Sequence, residues 1–263
     1  MAGNLYETQR LLDEYLLFHY GSPEEVLPWG FGPSGALGFP VRTVTAFIDS
    51  APRRRALDLG CAVGRSAFEL SKFCGETVAI DFSHSFISAA EQLRLGGALD
   101  YSSREEAGLA RRLTATLPGG SRPDKVAFEQ GNAMDLRQDL GEFDLVHAAN
   151  LLCRLTNPLA LIRRLPSLVR PGGQLILTTP CTWLEEFTPS DQWPAGSTFD
   201  WLQEKLSPFF TLTQQADLPF LIREHARKFQ WSVAMGTLWT RKEVATEPKT
   251  CDLSNFSLDG AGT

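Results

Sequence analysis

Ala56-Leu57-Asp58-Leu59-Gly60-Cys61-Ala62-Val63-Gly64 reads as the end of a strand, a tight turn and the start of a helix. Residues 55–60 form an apolar, strand-like run, and the Arg65-Ser-Ala-Phe-Glu-Leu-Ser-Lys-Phe73 that follows spaces its apolar residues as a helix does. Such a junction is how an open parallel α/β sheet presents a ligand site at the carboxyl end of its first strand. The glycine spacing is unusual. A dinucleotide fingerprint requires Gly-x-Gly-x-x-Gly, so that backbone can approach a pyrophosphate. Here Gly60 is followed by Ala62 and Gly64, and Asp58 stands two residues before the first glycine. The turn is tight but is not built for phosphate.

Working outward, strand-like runs alternate with helical patterns after residue 55. Strands are expected over 77–81, 125–130, 143–148 and 174–179, and helices over 64–73, 84–95 and 158–169, the last broken by Arg170-Pro-Gly-Gly173. This βα repetition implies a parallel sheet with helices on both faces. Two long strands are expected over 209–216 and 230–240, joined through 218–229. Residues 96–124 are polar and too long for a βα loop, so they read as a surface insertion with one short helix. The segment 242–263 is expected to be a disordered tail. Ahead of the sheet, Tyr6, Leu12, Tyr15, Leu16, His19 and Tyr20 fall at helical spacings. Leu27-Pro-Trp-Gly-Phe-Gly-Pro-Ser-Gly35 then carries too many breakers for a regular element.

At 263 residues the chain suits one α/β domain with elaborations. A net charge of −6 without a basic run excludes the phosphate neutralisation on which nucleic-acid binding rests. Arg53-Arg54-Arg55 is read as a solvated lead-in to the first strand. The five cysteines are dispersed and lack Cys-x-x-Cys spacing, which suggests neither a disulfide framework nor a metal site. The N-terminus lacks the layout of a signal peptide, and no apolar run approaches the ~20 residues of a membrane span. A soluble, cytoplasmic protein without membrane contacts is expected.

Asp-x-Gly-x-Ala-x-Gly resembles the first motif of the Rossmann-like S-adenosylmethionine-dependent methyltransferases. Arg-Pro-Gly-Gly before an apolar strand is another of their recurrent elements. The resemblance implies a seven-stranded α/β sheet over residues 51–241 with its last strand antiparallel, plus a helical N-terminal extension (1–50) that lids the substrate pocket. It also implies S-adenosyl-L-methionine, whose sulfonium and amino-acid end replace phosphates. The cofactor residues it implies are Asp58, Gly60, Cys61, Ala62 and Gly64 in the first turn, and Asp81 and Phe82 after the second strand. Asn132, Ala133 and Met134 follow the third strand, and Ala148 and Asn150 close the fourth. Asp81, 21 positions beyond Gly60, can accept from both ribose hydroxyls; its alternative is a carboxylate at a helix N-terminus. Asn132 stands where the class usually carries an acid, and its carbonyl can still accept from the adenine amino group. Met134 either packs on adenine or belongs to the core.

The flanks carry a second resemblance. Asn4-Leu-Tyr-Glu-Thr-Gln-Arg-Leu-Leu-Asp-Glu-Tyr-Leu-Leu-Phe-His-Tyr-Gly21, Phe39-Pro-Val-Arg42 and Pro219-Phe-Leu-Ile-Arg-Glu-His-Ala-Arg-Lys-Phe-Gln-Trp231 look like the 4-mercaptohistidine N1-methyltransferase family. That family makes ovothiol and also occurs as the C-terminal domain of sulfoxide-synthase fusions. The resemblance implies methylation of a thiohistidine ring nitrogen and a functional link to a sulfoxide synthase. Tyr6, Tyr15, Tyr20 and Arg42, with Arg223 and His225 from the second flank, suit a small zwitterionic acceptor. For Tyr6 and Tyr15 the alternative is plain helix packing. His19, whose ordinary pKa lies near neutrality, is the candidate to accept the ring proton; a satisfied core histidine is the rival for His19 and His225. Other small amine, thiol or carboxylate acceptors stay open, as does a non-catalytic cofactor-binding scaffold. Intact Asp58, Gly60, Gly64 and Asp81 argue against the scaffold.

Overall fold

Three helices precede the sheet in the computed structural model, which describes residues 5–49 and 51–243. They are α1 (Gln9–Tyr20), α2 (Pro23–Val26) and α3 (Phe39–Thr45). β1 (Arg53–Leu59), α4 (Arg65–Leu70), β2 (Cys74–Asp81) and α5 (His84–Gly96) form the first two βα units. A hairpin of β3 (Ala98–Glu106) and β4 (Leu109–Thr116) follows, then β5 (Val126–Gln130), β6 (Phe143–Ala149), α6 (Pro158–Leu168) and β7 (Val169–Thr179). The last elements are α7 (Thr198–Leu206), β8 (Phe210–His225) and β9 (Lys228–Arg241). The strand order is β5-β2-β1-β6-β7-β9-β8, with β9 antiparallel to both neighbours and the other pairings parallel. This is the expected Rossmann-like methyltransferase sheet with an antiparallel last strand.

Local chemistry explains these elements. β1 is buried from Ala56 to Leu59, as a central parallel strand covered on both faces requires. α5 buries Phe86, Ala89, Ala90 and Leu93 along one stripe, starts on a Ser83 cap and stops at Gly97 with φ +73. α1 contributes Leu16 and Leu17 to the same apolar cluster as Phe68, Phe86 and Leu221.

Four expectations need correction. Residues 98–116 build a β-hairpin instead of carrying a short helix, because Leu99, Tyr101, Leu113 and Ala115 alternate inward and pack on the α1–α5 cluster. Residues 218–229 are not a connector but the outer half of one long hairpin. Asp217 pairs with Met235, which pairs with Thr179 at the end of β7, so β8 runs on for 218–225 past the sheet body, about 26 Å of strand. Arg170-Pro-Gly-Gly173 lies within β7 as a bulge and does not stand apart from it. Arg53 is no solvated lead-in: it belongs to β1 and donates to Gln174 at 2.5 Å. α7 had no counterpart in the sequence reading. The expected disordered tail lies outside the described residues except for residues 242–243. Among the described residues no helix is long and apolar enough to cross a membrane.

Candidate active site

The strand order reverses between β1 and β6, so the carboxyl ends of these strands bound the crevice where open α/β sheets bind ligands. Backbone strain marks the same edge. Among the described residues, four non-glycine residues have positive φ: Ala62 (+48), Asn150 (+53) and Cys181 (+56) follow β1, β6 and β7, and Ala107 lies at the hairpin turn. L-residues held in this region cost energy and cluster where function requires them.

The glycine turn is built for close approach. Gly64 has φ +86, and a Cβ there would stand 2.6 Å from Phe128 Cζ. A Cβ on Gly60 would meet Leu151 at 3.0 Å. The Ala62 N–H donates to Asp81 Oδ2 at 2.8 Å, and the Ser83 N–H to Oδ1 at 2.9 Å. Burial outweighs these donors and pushes the Asp81 carboxyl up to about 6, with Asp58 adding to the rise. Asp58 is 1% exposed; its Oδ1 meets His147 Nδ1 at 2.7 Å. Its Oδ2 is buried without a partner. His147 Nε2 meets Thr43 Oγ1 at 3.1 Å, and Thr43 and Ser66 both donate to the Pro40 carbonyl. A chain of buried polar groups therefore ties the acid of the turn to α3.

These residues fit S-adenosylmethionine. The orphaned Asp58 Oδ2 is an acceptor suited to its ammonium, Asp81 is an acceptor for its ribose hydroxyls, and the turn offers no pyrophosphate cradle. Cys61 contributes backbone; its thiol is buried and its pKa pushed up by burial and the two nearby acids. Phe82, 57% exposed beside Asp81, offers an aromatic face. Asn132 Oδ1 already accepts from the Met134 N–H at 3.0 Å, which leaves one lone pair and both amide donors. Met134 packs against the core, its sulfur receiving the Asn157 N–H at 3.2 Å. Ala133 and Ala148 are buried, and Asn150 is held by its N–H to the Thr178 carbonyl at 2.9 Å.

The N-terminal segment crosses over this edge. Tyr20 donates to the Val63 carbonyl at 2.6 Å, inside the glycine turn. Glu7 accepts from the N–H groups of His84 and Ser85 at the start of α5, and the Tyr6 carbonyl accepts from Ser83 Oγ at 3.0 Å. Tyr6, Tyr15, Phe86 and Phe187 form an aromatic wall with centroid spacings of 4.8–6.3 Å, and the Arg154 guanidinium lies 4.5 Å over Phe187. Burial raises the pKa of both Tyr6 and Tyr15.

Three expected substrate contacts are engaged elsewhere. Arg42 donates to the carbonyls of Leu37 and Pro219, binding α3 to β8. Arg223, 2% exposed, donates to the Glu25 carbonyl and forms a two-oxygen ion pair with Glu105 of β3. His225 accepts from the Arg227 N–H at the tip of the β8–β9 hairpin. The proton-accepting role of His19 also needs correction. Its ring stacks on Tyr15 beside a cavity of about 90 Å³, Nδ1 is buried without a partner, and burial together with Arg65 lowers its pKa to about 3. Such a ring is too weak a base for work near neutrality. The sequence reading missed His147, Thr43, Glu7, Arg154 and Phe187. A histidine inside the apolar run 143–149 was the one legible signal among them.

The family model described as a methyltransferase domain matches residues 38–218. Over 128 residues the chain is 27% identical to the ubiquinone biosynthesis O-methyltransferase of Xanthomonas campestris, covering 49% of this chain and 44% of that protein. It is 24% identical over 159 residues to phosphoethanolamine N-methyltransferase 3 of Arabidopsis thaliana, covering 60% of this chain and 27% of that one. The chain thus spans less than half the length of these relatives. Among solved structures, the N-methyltransferase NodS of Bradyrhizobium japonicum with S-adenosyl-L-homocysteine aligns at a TM-score of 0.50 and 15% identity, over 78% of this chain and 84% of that one.

Proposed function

The chain belongs to the methyltransferase-domain family, and we propose that it uses S-adenosylmethionine to methylate a ring nitrogen of 5-thiohistidine (4-mercaptohistidine), giving ovothiol. The observation that carries this reading is the aromatic wall of Tyr6, Tyr15, Phe86 and Phe187 beside Asp81, with Arg154 over its rim. A flat heteroaromatic ring suits the wall, and a carboxylate or thiolate suits Arg154. The first of the three motifs that resemble the thiohistidine methyltransferases supplies Tyr6 and Tyr15 to this wall.

The bound cofactor supplies an electrophilic methyl group on a sulfonium. Asp58 would hold its ammonium and Asp81 its ribose hydroxyls, the tyrosines would exclude water, and Arg154 would orient the acceptor. A neutral imidazole already presents a lone pair, so the chain needs to hold no strong base. The proton then leaves the methylated ring to solvent. Alignment of donor and acceptor supplies most of the acceleration, ~7–11 kcal/mol in well-oriented cases. A sulfoxide synthase acting on histidine would stand upstream of the substrate, because its sulfoxide must still lose the second carbon substituent and be reduced before a free thiol stands on the ring.

Incubation with S-adenosylmethionine and 5-thiohistidine, read by mass spectrometry and NMR, tests the proposal. A product heavier by one methylene with the methyl on a ring nitrogen is expected. S-methylation, or no product from cofactor-binding protein, rejects it. Similarity to O- and N-methyltransferases of other small molecules favours, as second reading, another small acceptor on the same wall.

A further inference from the structure

A cavity of about 220 Å³ lies between α1, β3 and the outer end of β8. It is on the side of α1 opposite the aromatic wall: Arg10, Asp13, Glu14 and Leu17 recur at i, i+3, i+4 and i+7, away from Tyr15 and His19. Two polar atoms of its lining residues, Arg223 Nε and Ser103 Oγ, are buried with no hydrogen-bond partner in the protein. Their residues are 2% and 3% exposed. Arg223 spends Nη1 on the Glu25 carbonyl and Nη2 on Glu105, which leaves the Nε–H over. An unpaired buried donor destabilises the fold, a penalty that a bound acceptor removes.

The charges of the lining choose the ligand. Three cations (Arg10, Arg104 and Arg223) face three carboxylates (Asp13, Glu14 and Glu224), so the wall is neutral but carries both signs. Glu224 is taken by Lys228 and Gln230. Asp13 and Glu14 each give one oxygen to a neighbour, Gln9 and Arg10, and keep the other. A simple anion would leave these carboxylates unanswered, and a simple cation would leave Arg223 Nε and Ser103 so. The volume is below the ~300–1,000 Å³ of pockets for drug-sized ligands.

We propose that this cavity binds a free α-amino acid, its carboxylate accepting from Arg223 Nε–H and the Ser103 hydroxyl and its ammonium donating to Asp13 and Glu14. The site is separate from the methyl-transfer edge, and the proposal does not rest on the identity of the methyl acceptor.

Titration calorimetry of the full chain without cofactor, using L-alanine, L-serine and L-histidine against acetate and methylamine, tests it. Saturable binding of one L-amino acid per chain is expected, with the singly charged fragments at least ~10-fold weaker. Ser103→Ala and Glu14→Gln should each weaken binding roughly 3–10-fold, with S-adenosylmethionine affinity unchanged and thermal unfolding verifying that both fold. No saturable binding of any of the three at millimolar concentration overturns the proposal, as does acetate binding as tightly. Binding indifferent to both substitutions also overturns it, since the amino acid would then sit elsewhere. No methyl transfer is measured, so failure of the thiohistidine reading leaves this test intact.

Discussion

At the scale of single residues, Asp58 and Asp81 are two buried acids set apart by environment. The Asp81 carboxyl, pushed up to about 6 mainly by burial, should lose its value as an acceptor as pH falls through that range. Affinity for S-adenosylmethionine should therefore drop from pH 7 to pH 5 in the natural protein. In Asp81→Asn it should be weaker and nearly flat, which calorimetry at several pH values reads directly. The sign for stability is opposite. A carboxyl whose folded pKa lies above its unfolded one disfavours the fold when ionised, so this group's penalty is relieved as pH falls from about 6 toward the unfolded value of about 4. Asp58 presents the other case, a buried acid with one partner. His147→Phe leaves both of its oxygens unanswered and should cost about 3–5 kcal/mol in denaturant unfolding. Thr43→Val, which removes the outer link to His147 and the bond to the Pro40 carbonyl, should cost about 1–3 kcal/mol. A loss below 1 kcal/mol in His147→Phe would show that the chain of buried groups is not what holds the turn.

At the scale of elements, the glycine turn tolerates little. Gly64→Ala would place a Cβ 2.6 Å from the Phe128 ring at φ +86, and overpacking alone should cost about 1–3 kcal/mol, visible as a lowered midpoint of urea unfolding. The central strands were legible because burial on both faces leaves an apolar run that only a parallel strand explains. The β3–β4 hairpin was not, for its inward Leu99, Tyr101, Leu113 and Ala115 are interleaved with Asp100, Ser102, Arg112 and Thr114, which dilute the apolar signal. The segment 218–229, expected to join two strands, contains Pro219. It reads as a breaker, yet β8 is the sheet's edge, where a residue without an N–H leaves no neighbour unsatisfied. Asp58, Gly60 and Gly64 could be found by spacing along one strand and turn, and Asp81 by its place at the end of the next strand. His147 could not, because its partner Asp58 is set by the register between β1 and β6, and Arg42 and Arg223 looked like free cations because the carbonyls they serve are distant in sequence.

At the scale of the whole molecule, residues outside the sheet body complete the site. The N-terminal segment and the long β8–β9 hairpin meet at Trp29, whose indole donates to the Ala226 carbonyl at 3.1 Å. Together they close over the carboxyl edge of the sheet. Arg154→Gln should raise the acceptor's KM roughly tenfold, about 1.4 kcal/mol, while leaving cofactor affinity within twofold. Equal losses in both would deny Arg154 its role toward the acceptor. The bonds from Glu7 to α5 and from Tyr20 to Val63 carry a kinetic corollary. A donor held beneath such stitching leaves only after the stitching parts, so each cycle contains an opening step that owes nothing to chemistry. The first turnover should then outrun the later ones as a burst, and the steady rate should slow in viscous solution. Glu7→Ala should quicken that steady rate without enlarging the burst.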